Sequence, residues 1–506
     1  MKGKIPKIPP GYENVDKLFL KLKSEPEEYW LKRGEKRALE LFHFMSQRVP
    51  AYKDFLRKNK INPTLIRTIN DFKSITPLDK NNYLRVYPLE KMCWDGNLKN
   101  KRWTIAVNSG STGEPFYFPR DKEQDRQYAI NAELYLRNSF DLDKNSTLYI
   151  DCFAMGAWIG GLFTYEAIRL LAERKKYKLS IYTPGIFKDE ILKAVVNLGP
   201  KFDQIIIGGY PPFVKDVIDD GASLGINWGK YKLGFIFSAE GFTEEFREYI
   251  FNKAKIKDYY RRSLNHYGTA DMGTMAHETP VCILIRKLAL SNSRIYNKLF
   301  SFKRLPTFAQ YFPELFFFEE IKGNLFCSGY SGLPLVRYDL KDLGGTYSWP
   351  QINKIFTSEK MILKDEIKKS GIKDTIWNLP FVYVYERSDF IVKLYGANIF
   401  PDTIRRALEL EEFGEILTGK FTMITKYDKN LNQFLEINVE LKRGARLSEK
   451  LRGLIQKKIV NMLLEENSEY KSNFKSNPER QRPQLIFWEY EHPNYFKPGI
   501  KQKWVK

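Results

Sequence analysis

Between Val107 and Arg120 the chain reads V-N-S-G-S-T-G-E-P-F-Y-F-P-R. Ser109, Gly110, Ser111, Thr112 and Gly113 set hydroxyls and unencumbered backbone amides side by side. Glycine lets N–H groups crowd toward one point, and Ser and Thr hydroxyls both donate and accept. A concave set of donors suits a polyphosphate, whose charge is spread over many oxygens. A polar turn between two strands fits the same residues, and the Gly-Lys-Ser/Thr ending of a P-loop is absent. The loop gains meaning only together with the segments around it.

The elements that must position it are legible from hydrophobic periodicity. W-T-I-A-V precedes the loop and F-Y-F follows it, two candidate strands. Residues 1–48 form a helical lead-in, with Ala38, Leu41, Phe42 and Met45 at helical spacing. A short second helix follows Pro50, and short helices broken by Pro63 and Pro77 fill 61–90. Residues 121–139 read as one long helix. Strand and helix patterns then alternate: strands at 148–153, 178–183, 204–208 and 233–238, and helices at Tyr165–Glu173, Lys188–Leu198, Pro212–Leu224 and Thr243–Ala254. Such alternation predicts an α/β fold of helix-covered, mostly parallel sheets, with ligands beyond the carboxyl ends of the strands. Near residue 386 the pattern changes to helix (Asp402–Leu410), hairpin, helix (447–465) and strand (485–490), a small α+β module. The expected domains are therefore 1–385 and 386–506.

At 506 residues the chain exceeds one ordinary domain. Its hydrophobic fraction of 43% excludes global disorder. No run approaches 18 apolar residues, and the N-terminus lacks a signal-peptide core. Cys93, Cys152, Cys282 and Cys327 are scattered without a C-x-x-C pair, as expected of a chain in a reducing cytoplasm. The net charge of +21 is spread along the chain among acids, so solvated basic faces fit it better than a nucleic-acid surface. The excess charge would favour anionic ligands.

Five segments line up in order: S-G-S-T-G-E-P from 109, S-A-E-G-F (238–242), N-H-Y-G-T-A-D-M-G (265–273), P-L-V-R-Y-D-L-K-D-L (334–343) and E-R-S-D-F-I-V-K-L-Y-G-A-N-I-F-P (386–401). Together they resemble the adenylate-forming superfamily of acyl-CoA synthetases, adenylation domains and luciferases. The nearest resemblance is to its phenylacetate-CoA ligase-like branch, including CapK-type proteins, and V-P-A-Y-K and I-T-P-L-D-K-N-N-Y-L-R also look like that branch. The resemblance runs over essentially the whole chain. It implies a large N-terminal domain and a small C-terminal domain that rotates about a hinge, using ATP, Mg²⁺ and coenzyme A on a carboxylic acid.

The resemblance also implies roles. Ser109, Gly110, Ser111, Thr112 and Gly113 would cradle the β- and γ-phosphates. Ser238, Ala239 and Glu240 would border the adenine, and Tyr267 would stack on it. Asp342 would accept the ribose hydroxyls, as an ionised carboxylate matches a diol, with Arg387 nearby. Asp389 would be the hinge. The family spells Y-G-x-T-E where this chain has Ala270 and Asp271. Asp271 remains a hard oxygen ligand for Mg²⁺, Thr269 is the nearest hydroxyl for a phosphate, and Glu278 would be a second acid at the metal. The lysine acting on the carboxylate and α-phosphate would be Lys501, with Lys503 its competitor, in F-K-P-G-I-K-Q-K-W-V-K.

The implied function is acyl-adenylate formation with pyrophosphate release, then transfer to coenzyme A. An amine or a carrier-protein thiol is an alternative acceptor, and the departures at 270 and 271 keep open a degenerate nucleotide-binding protein. His277, Cys282 and Cys327 lack a fourth ligand and regular spacing, so they read as buried groups rather than zinc ligands. Residues 153–161, with Gly156, Trp158, Gly160 and Gly161, fit either an acyl pocket or a tightly packed helix start.

Overall fold

The computed structural model describes residues 8–107, 116–153, 155, 159–239, 241–302, 304–387, 392–394, 397–428, 433–467, 470–471, 474–475, 478–498 and 504. In chain order the strands are β1 Thr104–Val107, β2 Tyr117–Arg120, β3 Thr147–Asp151, β4 Leu179–Tyr182, β5 Gln204–Gly209, β6 Leu233–Ser238, β7 Ser263–Thr269, β8 Gly273–His277 and β9 Thr307–Tyr311. They continue as β10 Phe316–Ile321, β11 Asn324–Gly329, β12 Leu335–Tyr347, β13 Phe381–Arg387, β14 Val392–Leu394, β15 Ala397–Ile399, β16 Leu417–Tyr427, β17 Gln433–Leu441 and β18 Gln484–Trp488.

One large sheet runs β10-β11-β12-β13-β9-β8-β7-β6-β5-β3-β4. The expected α/β class is present, with the parallel pairing confined to the half from β4 to β7. The other half, from β7 to β10, is antiparallel. Parallel strands need both faces covered, and β5 and β6 show it. Ile205, Ile207, Phe235 and Phe237 face Val214, Val217, Ile218 and Ile250 on one side. Ile206 and Ile236 face Tyr135, Leu136 and Ile168 on the other. A side chain of this size contributes roughly 1.5–3 kcal/mol when fully buried. At Gly208 the sheet leaves no room for a side chain, because a Cβ there would stand 2.3 Å from the Tyr149 hydroxyl.

The long helix Lys122–Phe140 is capped by the Asp121 carboxylate, which accepts from the Gln124 amide at 3.2 Å, and ends at Asp141 in a left-handed conformation. It is buried around most of its circumference between the sheet and the helices Val15–Ser24 and Ile159–Glu173. The antiparallel half packs against the N-terminal helices in a single cluster that includes Trp30, Phe42, Tyr52, Tyr83, Tyr338 and Trp377.

β16, β17 and β18 form a separate three-stranded sheet, with β18 parallel to β17. The helices Pro401–Leu408 and Glu449–Glu466 cover it, and its core draws on residues from Val392 to Trp504. This is the small α+β part of the fold. Charges join it to two helices of the large part: Lys420 Nζ lies 2.6 Å from Asp216 Oδ2 of the helix Pro211–Ser223, and Lys188 Nζ, at the start of the helix Lys188–Leu198, lies 2.9 Å from Glu491 Oε1. Among the described residues no helix is long and apolar enough to cross a membrane.

Candidate active site

Among the described candidate residues, all but Glu278 gather where the parallel half of the sheet meets the antiparallel half. β6 ends at Ser238, which pairs with His266 of β7. Ala239 follows with φ +76°, a left-handed conformation that costs an alanine roughly 1–2 kcal/mol. The chain therefore leaves the carboxyl end of β6 through a left-handed residue. Strain of this kind collects at functional sites.

Two residues beyond Tyr267, the chain turns back from β7 into β8 through Ala270, Asp271 and Met272, with Thr269 opposite Gly273. The Thr269 hydroxyl accepts from the Met272 amide at 3.2 Å and so holds the turn. Tyr267 lies against Phe318, ring centroids 6.1 Å apart and 28° from parallel. Its hydroxyl donates to Asp342 Oδ2 at 2.6 Å. In return the Tyr338 hydroxyl donates to Asp271 Oδ2 at 2.8 Å. Two Tyr–Asp bonds thus cross between the β7–β8 hairpin and β12, one in each direction, and all four side chains are buried.

β12 presents these groups because it is irregular. Arg337 and Lys341 both have positive φ, 47° and 59°, and the pairing shifts register near each of them. Bulges re-aim the side chains beside them, here Tyr338 and Asp342. Arg337 is structural: its Nε donates to both Glu319 oxygens at 3.1 and 3.0 Å, and Nη1 donates to the Ile75 carbonyl. Asp342 stands directly opposite Arg387 of β13, which brings the two ribose candidates onto neighbouring strands, about 4.5–5.5 Å apart at Cα.

Glu278 is not brought to this group. It follows β8 at the far end of the hairpin, its amide donating to the Asn265 carbonyl at 2.8 Å. Five residue steps of strand take the chain from Gly273 to it, roughly 16 Å, whereas two carboxylates on one Mg²⁺ each need an oxygen about 2.1 Å from the ion. Glu278 instead accepts from Arg247 Nη2 at 3.0 Å on both oxygens and from Arg286 Nη1 at 2.9 Å. Arg247 also donates to Glu244 Oε2 at 2.8 Å, and Arg286 Nε lies 2.9 Å from Glu244 Oε1. None of the four side chains is more than 3% exposed. Burial would raise the Glu244 carboxyl, but Arg247 and Arg286 hold it below its ordinary value. The expectation that Glu278 assists the metal is therefore corrected: it belongs to a closed, charge-balanced network inside the protein.

At the carboxyl ends of β3 and β5, Phe153 meets Tyr210 edge-on at 5.2 Å, and a Cβ at Gly160 would stand 3.6 Å from both. Asp151 is fully buried here. It accepts from the Phe153 amide at 3.2 Å through Oδ1, while Oδ2 has no partner among the described residues, and burial pushes its carboxyl well up. His266 and His277 lie deeper, ring centroids 6.4 Å apart beside Tyr135. Burial holds both well below their ordinary value, His277 at about 3. Cys282 contacts the Thr279 hydroxyl at 3.3 Å in one hydrophobic cluster and Cys327 lies in another. Among the described residues no group of three or more His, Cys, Asp or Glu is placed to hold a metal.

Ser109, Gly110, Ser111, Thr112, Gly113, Glu240, Asp389, Lys501 and Lys503 lie outside the described residues, as does the side chain of Arg387. Their flanks are described: β1 and β2 pair antiparallel with Val107 opposite Tyr117, so the strands on either side of the Gly/Ser loop form a hairpin. Two residues that periodicity and motif did not single out stand at this site. Tyr338 orients Asp271, and Arg405 of the helix Pro401–Leu408 donates to the Gly241 carbonyl just past the β6 exit. Tyr338 lay inside a quoted motif; Arg405 carried no local signal.

No protein-family model matches the chain, and no curated protein matches it. Solved structures do. A 2-hydroxyisobutyryl-CoA ligase in the postadenylation state with R3-HIB-AMP matches at 11% identity and TM-score 0.68, over 96% of this chain and 91% of that one. The same ligase with 2-HIB-AMP and CoA in the thioesterification state matches at 12% identity and TM-score 0.55, with the same coverage. The AtGH3.15 acyl acid amido synthetase in complex with 2,4-DB matches at 11% identity and TM-score 0.57, again over 96% and 91%. The chain has the fold of the adenylate-forming ligases.

Proposed function

We propose that this protein activates a carboxylic acid with ATP and passes the acyl group to coenzyme A, as a phenylacetate-CoA ligase-like enzyme. The observation that carries the reading is the crossed pair of Tyr–Asp bonds, Tyr267 to Asp342 and Tyr338 to Asp271, set at the carboxyl end of the parallel strands. An adenosine would meet an aromatic ring, a diol acceptor and a carboxylate there, in a fold shared with a ligase solved with an acyl-AMP.

In this reading Asp342 accepts the ribose hydroxyls, with Arg387 beside it, and Tyr267 lies along the adenine. The backbone of Ser238, Ala239 and Glu240 forms the other wall. Ser109, Gly110, Ser111, Thr112 and Gly113 hold the β- and γ-phosphates, and Thr269 reaches the α-phosphate. Asp271 suits Mg²⁺, which commonly takes one carboxylate plus substrate phosphates, and the bond from Tyr338 fixes its orientation. The ion, when bound, neutralises charge on the phosphates. The acid's carboxylate oxygen bonds to the α-phosphorus, the α–β P–O bond breaks, and pyrophosphate leaves. Lys501, or Lys503 in its place, stabilises the charge on both reacting groups, so catalysis is chiefly positioning and electrostatics. The domain 386–506 then turns about Asp389 against 1–385. The thiolate of coenzyme A adds to the acyl carbon, and AMP departs with the electron pair of the broken C–O bond.

Hydroxylamine trapping tests the first half. Incubation with ATP, Mg²⁺ and a panel of acids should yield a hydroxamate that depends on one acid class. Tight ATP binding with no hydroxamate from any acid would favour a nucleotide binder that does not adenylate. An amine acceptor is the second reading, supported by the likeness to an amido synthetase. Offering the adenylate coenzyme A or an amine separates the two.

A further inference from the structure

The last described residue, Trp504, is anchored on three sides. Its carbonyl accepts from the Met423 amide of β16 at 2.6 Å, and its ring lies 4.5 Å from Phe421. The third contact is the Arg405 guanidinium, 4.2 Å from the ring centroid. Arg405 is itself buried, at 3% exposure. Its helix packs on β16 through Ile404, Ala407 and Leu408, in the same cluster as Trp504 and Phe421. Arg405 and Trp504 therefore move as one body with the small domain. Yet Nη1 of the same guanidinium donates to the carbonyl of Gly241, two residues past the strained Ala239. Asp402 Oδ1, 3.8 Å away, supplies a countercharge on the same helix.

We propose that Arg405 is a positioning residue that ties Trp504, and with it the small domain, to the exit of β6 at Gly241. The inference rests on the adenylation reading above. A guanidinium suits this task, because its planar face stacks on an indole while its edge still donates to a carbonyl. Lys503 immediately precedes Trp504 and Lys501 stands three residues before it. Chain connectivity keeps any residue three positions away within about 11 Å. When the small domain turns, the Arg405–Trp504 contact travels with it and the Gly241 bond breaks. The arrangement seen here overlays better on the ligase in its postadenylation state, at TM-score 0.68, than in its thioesterification state, at 0.55.

The test compares wild type with Arg405→Gln, Arg405→Lys and Trp504→Phe in three measurements on the full chain. The first is ATP–pyrophosphate exchange. Arg405→Gln should lower its turnover about 10–100-fold, as a displacement near 1 Å at a reacting group does, with the KM for ATP within about twofold. Arg405→Lys, which keeps charge and donor, should recover part of the loss, and Trp504→Phe, which keeps an aromatic face, should lose least. The second is thioester formation from supplied acyl-adenylate, which should be unchanged and so shows that each variant is folded. The third is the distance distribution between spin labels at Leu224→Cys and Gly453→Cys, sites that are 72% exposed and open around the Cβ respectively; the native cysteines are buried. Arg405→Gln should broaden that distribution.

Unchanged exchange, or equal losses in both half-reactions, would overturn the proposal. Should wild type give no exchange with any acid, the adenylation reading fails, and the label distances decide the docking role alone: an unaltered distribution in Arg405→Gln refutes it, and a broadened one supports it.

Discussion

Glu278→Gln separates a structural acid from a metal ligand. The perturbation removes one of two negative charges from a buried group of four, leaving Arg247 and Arg286 facing Glu244 alone. Glu278 accepts three charge-assisted bonds, and a glutamine oxygen can replace only part of them while its amide turns toward a guanidinium. Losing about two such bonds, at roughly 1.5–3 kcal/mol each, agrees with the 3–5 kcal/mol typical of breaking a buried ion pair. Against a total stability of about 5–15 kcal/mol that is a large fraction. For about 380 cooperative residues the unfolding entropy near the midpoint is about 0.8 kcal/mol per kelvin, so the large domain should melt roughly 5 °C lower. The assay pairs calorimetry with a Mg²⁺ titration of ATP binding. Glu278→Gln should lower the melting temperature and leave the Mg²⁺ midpoint in place. Asp271→Asn should do the reverse, since the amide oxygen still accepts from Tyr338 but the charge facing the ion is gone. A Glu278→Gln protein that melts normally and needs more Mg²⁺ would refute the reasoning.

The other expectations are narrower. Asp342→Ala removes the partner of the Tyr267 hydroxyl and the proposed diol acceptor, so ATP should bind at least tenfold more weakly in calorimetric titration; unchanged affinity would detach Asp342 from the ribose. Lys501→Ala should abolish exchange while sparing thioester formation from supplied adenylate, and the same pattern in Lys503→Ala instead would transfer the role. Gly208→Ala should destabilise by a few kcal/mol in urea titration, because its Cβ meets the Tyr149 hydroxyl. Tyr149→Phe removes that buried hydroxyl, which has no partner among the described residues, and should restore part of the loss; no rescue would place the clash elsewhere. Burial holds His277 near 3, so the folded protein keeps it neutral while the unfolded chain takes up a proton below about 6.5. Stability should be full above that pH and fall as pH drops toward 3, by up to about 1.4 kcal/mol per unit. His277→Phe should flatten that slope, and an identical slope would show that other groups govern acid unfolding.

How much of this was legible in the sequence follows from the range of the forces involved. Q-I-I-I-G and L-G-F-I-F read directly as buried strands, because a strand covered on both faces needs nothing but apolar residues. β12 is less regular: Arg337 and Lys341 take positive φ, and the bulges they make interrupt the alternation that marks a strand. Glu278 sits among hard-ligand candidates by spelling alone, and its true partners, Arg247 and Arg286, are set by the packing of two helices on the sheet. Arg405 reads as a solvated helix residue, and its carbonyl partner stands 164 positions away. The left-handed Ala239 leaves no trace in composition either. Local patterns carried the elements and the motifs; long-range pairings decided which motif residues share a site.

ATP–pyrophosphate exchange with Mg²⁺ across aryl, short-chain, long-chain and hydroxy acids tests the central claim most directly. The expected result is exchange that depends on one class of acid and vanishes without Mg²⁺. Absence of exchange with every acid, alongside undetectable ATP binding, would contradict the nucleotide site built around Tyr267, Asp342 and Asp271.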